Sequence, residues 1–220
     1  MAICAVGGGM QHAFWHDKWE RGEIGFHQKD INAFLVRFAE TAGLTDGKRV
    51  LVPLCGKSQD MTWLLQRGCE VIGVELNESA VQQYFAELGI TPTVSDVDDF
   101  TCYQAPDITL YCGDILSITP KLLGDIDGVY DRAALVALPE DMRRAYVKTL
   151  KAAAPKAQHL LITFEYDQAL HSGPPFSVTE AELIELYGSE RLQPGLASEP
   201  LEGGLKGKVP AVESAWLVNK

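Results

Sequence analysis

The sequence predicts an α/β fold: a doubly wound, mostly parallel sheet of seven strands with an antiparallel hairpin at its C-terminal end. Three observations predict it. Residues 49–75, RVLVPLCGKSQDMTWLLQRGCEVIGVE, read as strand, loop, helix and strand. Five short apolar runs between Arg49 and Phe164 alternate with helical or turn-rich stretches. Two more strand-like runs, Arg191 to Gln193 and Trp216 to Val218, close the chain with no helix between them.

Each element follows from local chemistry. Met1 to Gly9, MAICAVGGG, ends in three glycines and reads as a leader or extension ahead of a single domain from Met10 to Lys220. Phe14 to His27 sets Phe14, Trp15, Trp19, Ile24 and Phe26 among polar residues. Aromatics at that density either pack on a core or cover a ligand. Asp30 to Ala42 is an amphipathic helix with Ile31, Phe34, Leu35 and Phe38 on one face, Asp30 as cap and Gly43 as stop; residues 12–42 together make a lid segment. Arg49 to Cys55 is a buried strand that breaks at Gly56-Lys57-Ser58. Ser58 to Arg67 is a helix with Met61, Trp63, Leu64 and Leu65 inward and Gly68 as its stop, and Glu70 to Leu76 is the second strand.

Ser79 to Leu88 is the next helix, ended by Gly89 to Pro92. Ser95 to Asp99 and Phe100 to Tyr103 read as an extra hairpin. Ile108 to Cys112, Gly128 to Tyr130 and His159 to Phe164 are the third to fifth strands, and Asp141 to Ala153 is a helix ended before Pro155. Gly173-Pro174-Pro175-Phe176 cannot be helical and makes a stiff loop ahead of a helix from Val178 to Tyr187.

A strand–helix–strand unit crosses over right-handed and leaves a ligand crevice outside the strand ends. Glu75 stands at the end of the second strand, roughly 20 residues past the loop, where an acid can accept both ribose hydroxyls; as a bare strand-end acid it would only be solvated. The loop Val52 to Ser58 has one glycine where a dinucleotide fingerprint has three. A pyrophosphate needs more bared backbone nitrogens than that. The expected cofactor is therefore adenosine without a phosphate chain, S-adenosyl-L-methionine.

Composition excludes other classes. The chain has 220 residues, 46% hydrophobic and 22% charged, the balance of one globular domain. A formal charge of −11 opposes nucleic acid. No segment has the length of a membrane span, and the start of the chain lacks signal-peptide character, so the protein is expected in the cytoplasm. The five cysteines show no paired C-x-x-C spacing and suit reduced thiols rather than a disulfide frame or zinc site. Cys69 and Cys112 read as small core residues, and Cys55, on the cofactor loop, is a conceivable nucleophile.

Several strings in order identify a family. FWHDKW followed by GFHQ, VPLCGKSQDM, IGVEL, VYDRAALVAL and GPPF resemble the thiopurine S-methyltransferase family in its bacterial form, from about Phe14 to Tyr187. The resemblance implies the class I S-adenosylmethionine-dependent (Rossmann-like) methyltransferase fold and methyl transfer to the sulfur of aromatic and heteroaromatic thiols, with selenium and tellurium compounds as further acceptors. It also implies the site. Trp19 covers the sulfonium or adenosine side, Leu54 sets its backbone against the methionine part, and Glu75 is the ribose acid. Asp114 and Ile115 form the adenine pocket, and Arg132 lies near both cofactor and substrate. Two departures bear on substrate choice: Lys206 is the nearest counterpart of a cationic substrate residue of animal members, and Asp114 stands where those members have a smaller hydroxyl residue.

Methyl transfer from a sulfonium is an in-line displacement by a thiolate. An aromatic thiol is acidic enough to be substantially ionised near neutrality, so the protein must position it rather than deprotonate it strongly. Arg132 is the candidate for holding the thiolate; its bland alternative is a structural pairing with Asp131 or Asp127. His27 is the nearest explicit base, though a histidine in that setting also serves packing. Trp15 and Phe26 would close over the substrate, with Pro175 and Phe176 as the opposite wall. Competing readings are a nicotinamide-dependent reductase, which the single-glycine loop disfavours, a small-thiol or halide methyltransferase, and a non-catalytic S-adenosylmethionine sensor. The expected partner is a small-molecule thiol, and the expected state a monomer.

Overall fold

The computed structural model describes residues 30–219. Met1 to Gly9, Trp15, Trp19, Phe26 and His27 lie outside the described residues. In chain order the elements begin α1 (Ala33–Phe38), β1 (Arg49–Pro53), α2 (Gln59–Gln66), β2 (Glu70–Glu75) and α3 (Glu78–Leu88). They continue with β3 (Thr93–Val97), β4 (Phe100–Ala105), β5 (Ile108–Cys112), α4 (Pro120–Leu123) and β6 (Gly128–Arg132). The chain closes with α5 (Glu140–Ala153), β7 (Gln158–Tyr166), α6 (Glu180–Tyr187), β8 (Ala197–Pro200) and β9 (Ala211–Val218).

β1 is the axis of the sheet. Val50 and Val52 pack into one core cluster and Leu51 into the other, as a strand covered on both faces must. Phe34 and Leu35 of α1, Met61 and Leu64 of α2, and Tyr84 and Phe85 of α3 cover the valine side. Leu123 of α4, Tyr146 and Leu150 of α5, and Leu183 and Tyr187 of α6 cover the leucine side. β2 pairs with β1 on one flank and β6 on the other, and β5 and β7 continue outward, all parallel.

Antiparallel hairpins extend both edges, so the order is β3-β4-β5-β2-β1-β6-β7-β9-β8. Among the described residues the sheet thus has nine strands: six of the expected seven, β8 in place of the expected strand at Arg191 to Gln193, and the β3–β4 hairpin. The chain builds one half from β1 through β2, the edge strand β3 and back inward to β5, then crosses to β6 and fills the other half. The ends of β1 and β6 therefore flank the topological switch, where a crevice must open.

Two expectations need correction. The first helix is capped by Asn32 rather than Asp30, because the Asn32 side chain accepts from the Phe34 and Leu35 amides, and it gives way to turns that end at Gly43, φ 69°. Arg191 to Gln193 is not a strand; only Leu192 bridges to Val218. Pro194 has no amide to donate to a ladder, so regular pairing with β9 starts beyond Gly195, in β8.

Candidate active site

The crevice is built by two chain reversals. After β1 the backbone passes through left-handed positions at Leu54 (φ 45°) and Gly56 (φ 51°), and after β6 through another at Ala133 (φ 66°). For a leucine or an alanine that conformation costs on the order of 1–2 kcal/mol, and such strain concentrates at ligand sites. Ser58 then caps α2 by accepting from the Asp60 amide. Leu54, Lys57, Ser58, Asp60, Tyr130 and Arg132 line the space between.

Glu75, at the end of β2, is 7% exposed. One carboxylate oxygen accepts from the Gly56 amide at 2.8 Å and the other from the Asn77 amide at 2.9 Å. The acid thus ties the loop after β1 to the loop after β2. Burial pushes its carboxyl above the usual range, against the pull of the Asn77 and Gly56 amides. The loop's one glycine nitrogen is consequently spent on Glu75. A phosphate chain finds little to bind here, whereas a ribose can use the carboxylate's remaining lone pairs. The donor set fits adenosine without phosphates, as in S-adenosylmethionine.

Asp114 and Ile115 follow β5 next door. Cys112 lies opposite Glu75 in the register, and the Gly113 amide donates to the Glu75 carbonyl at 2.9 Å. Asp114 caps a short 3-10 turn by accepting from the Leu116 amide at 2.8 Å, and Ile115 is buried.

Arg132 has neither of the partners proposed from sequence. Successive strand residues point to opposite faces: Asp131 turns toward α5, where Tyr146 donates to it at 2.7 Å, while Asp127 accepts from Lys48 and the Arg49 amide. The Arg132 guanidinium instead meets Asp60 at 3.5 Å, with side chains 9% and 1% exposed. Asp60 also accepts from the Tyr130 hydroxyl and the Asn32 amide, both at 2.9 Å. Lys57, a second cation on the crevice wall, is paired with Glu87 at 2.6 Å.

Pro175 and Phe176 sit beside the turn after β6. The Phe176 amide donates to the Val136 carbonyl at 2.6 Å, and Tyr166 donates to the Pro175 carbonyl at 2.7 Å. They are half-buried and are not among the crevice-lining residues. Lys206 donates to the Pro174 carbonyl at 3.2 Å, which sets it against that loop. Cys55 is buried, and burial with the nearby Glu75 charge holds its thiol well above the usual range, the opposite of an activated nucleophile. Sequence reasoning missed Asp60, Tyr130 and Ala133. Asp60 reads as an ordinary first-turn acid of a helix, while Tyr130 and Arg132, two apart on one strand, carried the usable signal of a shared face.

A doubly wound sheet with an acid at the end of its second strand and a phosphate-poor loop at its switch point defines a class I S-adenosylmethionine-dependent methyltransferase. The fold is similar to that of 1,6-didemethyltoxoflavin-N1-methyltransferase from Burkholderia thailandensis, solved with S-adenosylhomocysteine (TM-score 0.67, 16% identity, 100% of this chain and 92% of that one). It is also similar to magnesium protoporphyrin IX methyltransferase from Synechocystis (TM-score 0.64, 13% identity, 96% and 99%). The family model for thiopurine S-methyltransferase matches residues 10–203. Thiopurine S-methyltransferases from Gluconobacter oxydans (49% identity over 92% of both chains) and Teredinibacter turnerae (47% over 96% and 98%) are similar throughout. The chain belongs to the thiopurine S-methyltransferase family.

Proposed function

We propose that the crevice moves the methyl group of S-adenosylmethionine to the sulfur of a heteroaromatic thiol of the thiopurine kind, with Arg132 holding the thiolate. One observation carries this: the guanidinium ends β6, its side chain is 9% exposed, and it lines the crevice at the switch point. When bound, S-adenosylmethionine supplies a methyl carbon made electrophilic by its sulfonium. Glu75 would hold the ribose, Leu54 the methionine part, and Asp114 and Ile115 the adenine. Trp19, outside the described residues, would cover the cofactor. Trp15, Phe26, Pro175 and Phe176 would enclose the acceptor.

The residues need supply no strong base. Arg132 favours the anionic form of an acidic thiol, whose proton leaves to water, and enclosure keeps the sulfur aligned; positioning of this kind can supply roughly 7–11 kcal/mol. A selenolate or tellurolate, softer and more readily ionised, suits the same arrangement. The reading is of a monomer acting on small molecules in the cytoplasm; the net charge of −11 disfavours self-association and nucleic acid, and among the described residues no helix is long and apolar enough to cross a membrane. Its single domain would run from Met10, with residues 12–42 as the lid segment, anchored at its C-terminal end by α1, whose Phe34 and Leu35 are packed in the core.

Transfer of labelled methyl from S-adenosylmethionine to 6-mercaptopurine tests the reading, with a no-thiol blank and Arg132→Ala alongside. Transfer should require the thiol and fall roughly 100-fold in the variant, the scale of a lost positioning contact. Cofactor binding without transfer would move the assignment to another acceptor or to a sensor.

A further inference from the structure

Arg132 is a long side chain at a strand end, and roughly 2 kcal/mol of rotamer entropy must be met to hold it in one place. The structure meets it through Asp60. This carboxylate, 1% exposed, lies in the first turn of α2 and carries three contacts from two other parts of the chain. The Asn32 amide ahead of α1 donates to Oδ1, and the Tyr130 hydroxyl of β6 donates to Oδ2. Arg132 Nη1 completes the set. An acid fixed at both oxygens cannot swing, so its ion-pair partner is fixed too.

The surroundings single out this anchor. Burial first, then the Asp60 charge, pushes the Tyr130 hydroxyl far up, so it stays a donor. Glu213 of β9 also feels the Arg132 charge, but its carboxylate accepts from the Asn32 side chain at 3.2 Å. The direct ion pair is with Asp60.

We infer that Asp60 is a positioning residue of the methyl-transfer reaction: it fixes the Arg132 guanidinium on the crevice wall, with Tyr130 as its brace, so that the acceptor thiolate meets a preset cation. The inference rests on the proposed role of Arg132. Since Asp60 acts through Arg132, its removal should matter only while Arg132 is present.

The test is a double-mutant cycle on the full chain with Asp60→Asn, Arg132→Ala and the pair. It reads kcat and KM for 6-mercaptopurine, and calorimetric Kd for S-adenosylhomocysteine. Asp60→Asn alone should lower kcat/KM roughly 10- to 100-fold, and in the Arg132→Ala background by no more than about twofold. Cofactor Kd should move by no more than about twofold in either background, the range of uncoupled sites. Asp60→Glu should recover part of the loss. Equal losses in both backgrounds, or a parallel loss of cofactor affinity, would make Asp60 a scaffold residue and overturn the inference. If Asp60→Asn does not fold, Tyr130→Phe loosens the same carboxylate, and its cost too should vanish without Arg132. An impaired Arg132→Ala with an unimpaired Asp60→Asn would sink this inference alone, whereas an Arg132→Ala enzyme equal to wild type would take the Arg132 role down with it.

Discussion

Asp131 and His159 are buried on the α5–α6 side of the sheet, and burial perturbs them in opposite senses. Asp131 is pushed up from 3.8 to about 6 by burial, against the Tyr146 and Leu135 hydrogen bonds. His159 is pushed down from 6.5 to about 4 by burial, with Lys151 and Arg191 adding to it. For Asp131 the stabilising contribution is present below the unfolded value and is lost as pH rises through about 6. For His159 it is present above the unfolded value and is lost as pH falls through about 4. Between these limits the two offset, each by roughly 3 kcal/mol. Urea unfolding of His159→Phe should therefore show stability falling more steeply than in wild type as pH rises from 4.5 to 6.5. Asp131→Asn should tilt the other way, and parallel curves for all three proteins would refute the assignment.

Among elements, the β3–β4 hairpin reaches the proposed adenine end of the site through one ring. Phe100 of β4 lies under Gly113, so close that a Cβ there would sit 2.4 Å from the ring. Tyr111 packs edge-on against the same ring at 6.1 Å. Gly113→Ala must displace the ring or the strand end that leads into Asp114 and Ile115. Overpacking of this kind costs about 1–3 kcal/mol. A thermal melt should show that loss together with weaker S-adenosylhomocysteine binding, and Phe100→Leu in the same background should restore part of both. A lower melting temperature with unchanged cofactor affinity would show that the hairpin supports the sheet and not the pocket.

At the scale of the whole molecule, the two halves of the sheet meet in the parallel β1–β6 pairing, and the crevice opens beyond the ends of those strands. A ligand that binds only the folded chain stabilises it by about 2.7 kcal/mol at 100 times its Kd. For a chain of this size that is about 5–10 °C in melting temperature. S-adenosylhomocysteine should produce such a shift. A nicotinamide dinucleotide at the same concentration should not, since the Gly56 amide it would need is held by Glu75; a shift with the dinucleotide would reopen the reductase reading.

The parallel core and its carboxyl-end crevice were legible from the chain because short apolar runs and Gly stops are local signals, whereas the cap of the first helix was misplaced from Asn32 to Asp30. The strand Ile108–Cys112 and the helix capped by Ser58 stand where that chemistry sets them. Glu75 was legible for the same reason, since its place is fixed by the spacing of one strand–helix–strand unit. The family resemblance supplied the reaction in the same way, as an ordered set of local strings. Only the tertiary structure decided what the charges do. Arg132 stands next to Asp131 in sequence and pairs with Asp60, because the strand pleat separates neighbours while sheet packing brings α2 across to β6. The spending of the Gly56 amide on Glu75, and the start of β8 beyond Pro194, were likewise settled by which donors and acceptors meet at a distance. Propensity is a property of a window of residues, whereas a hydrogen-bond partner is a property of the packed whole.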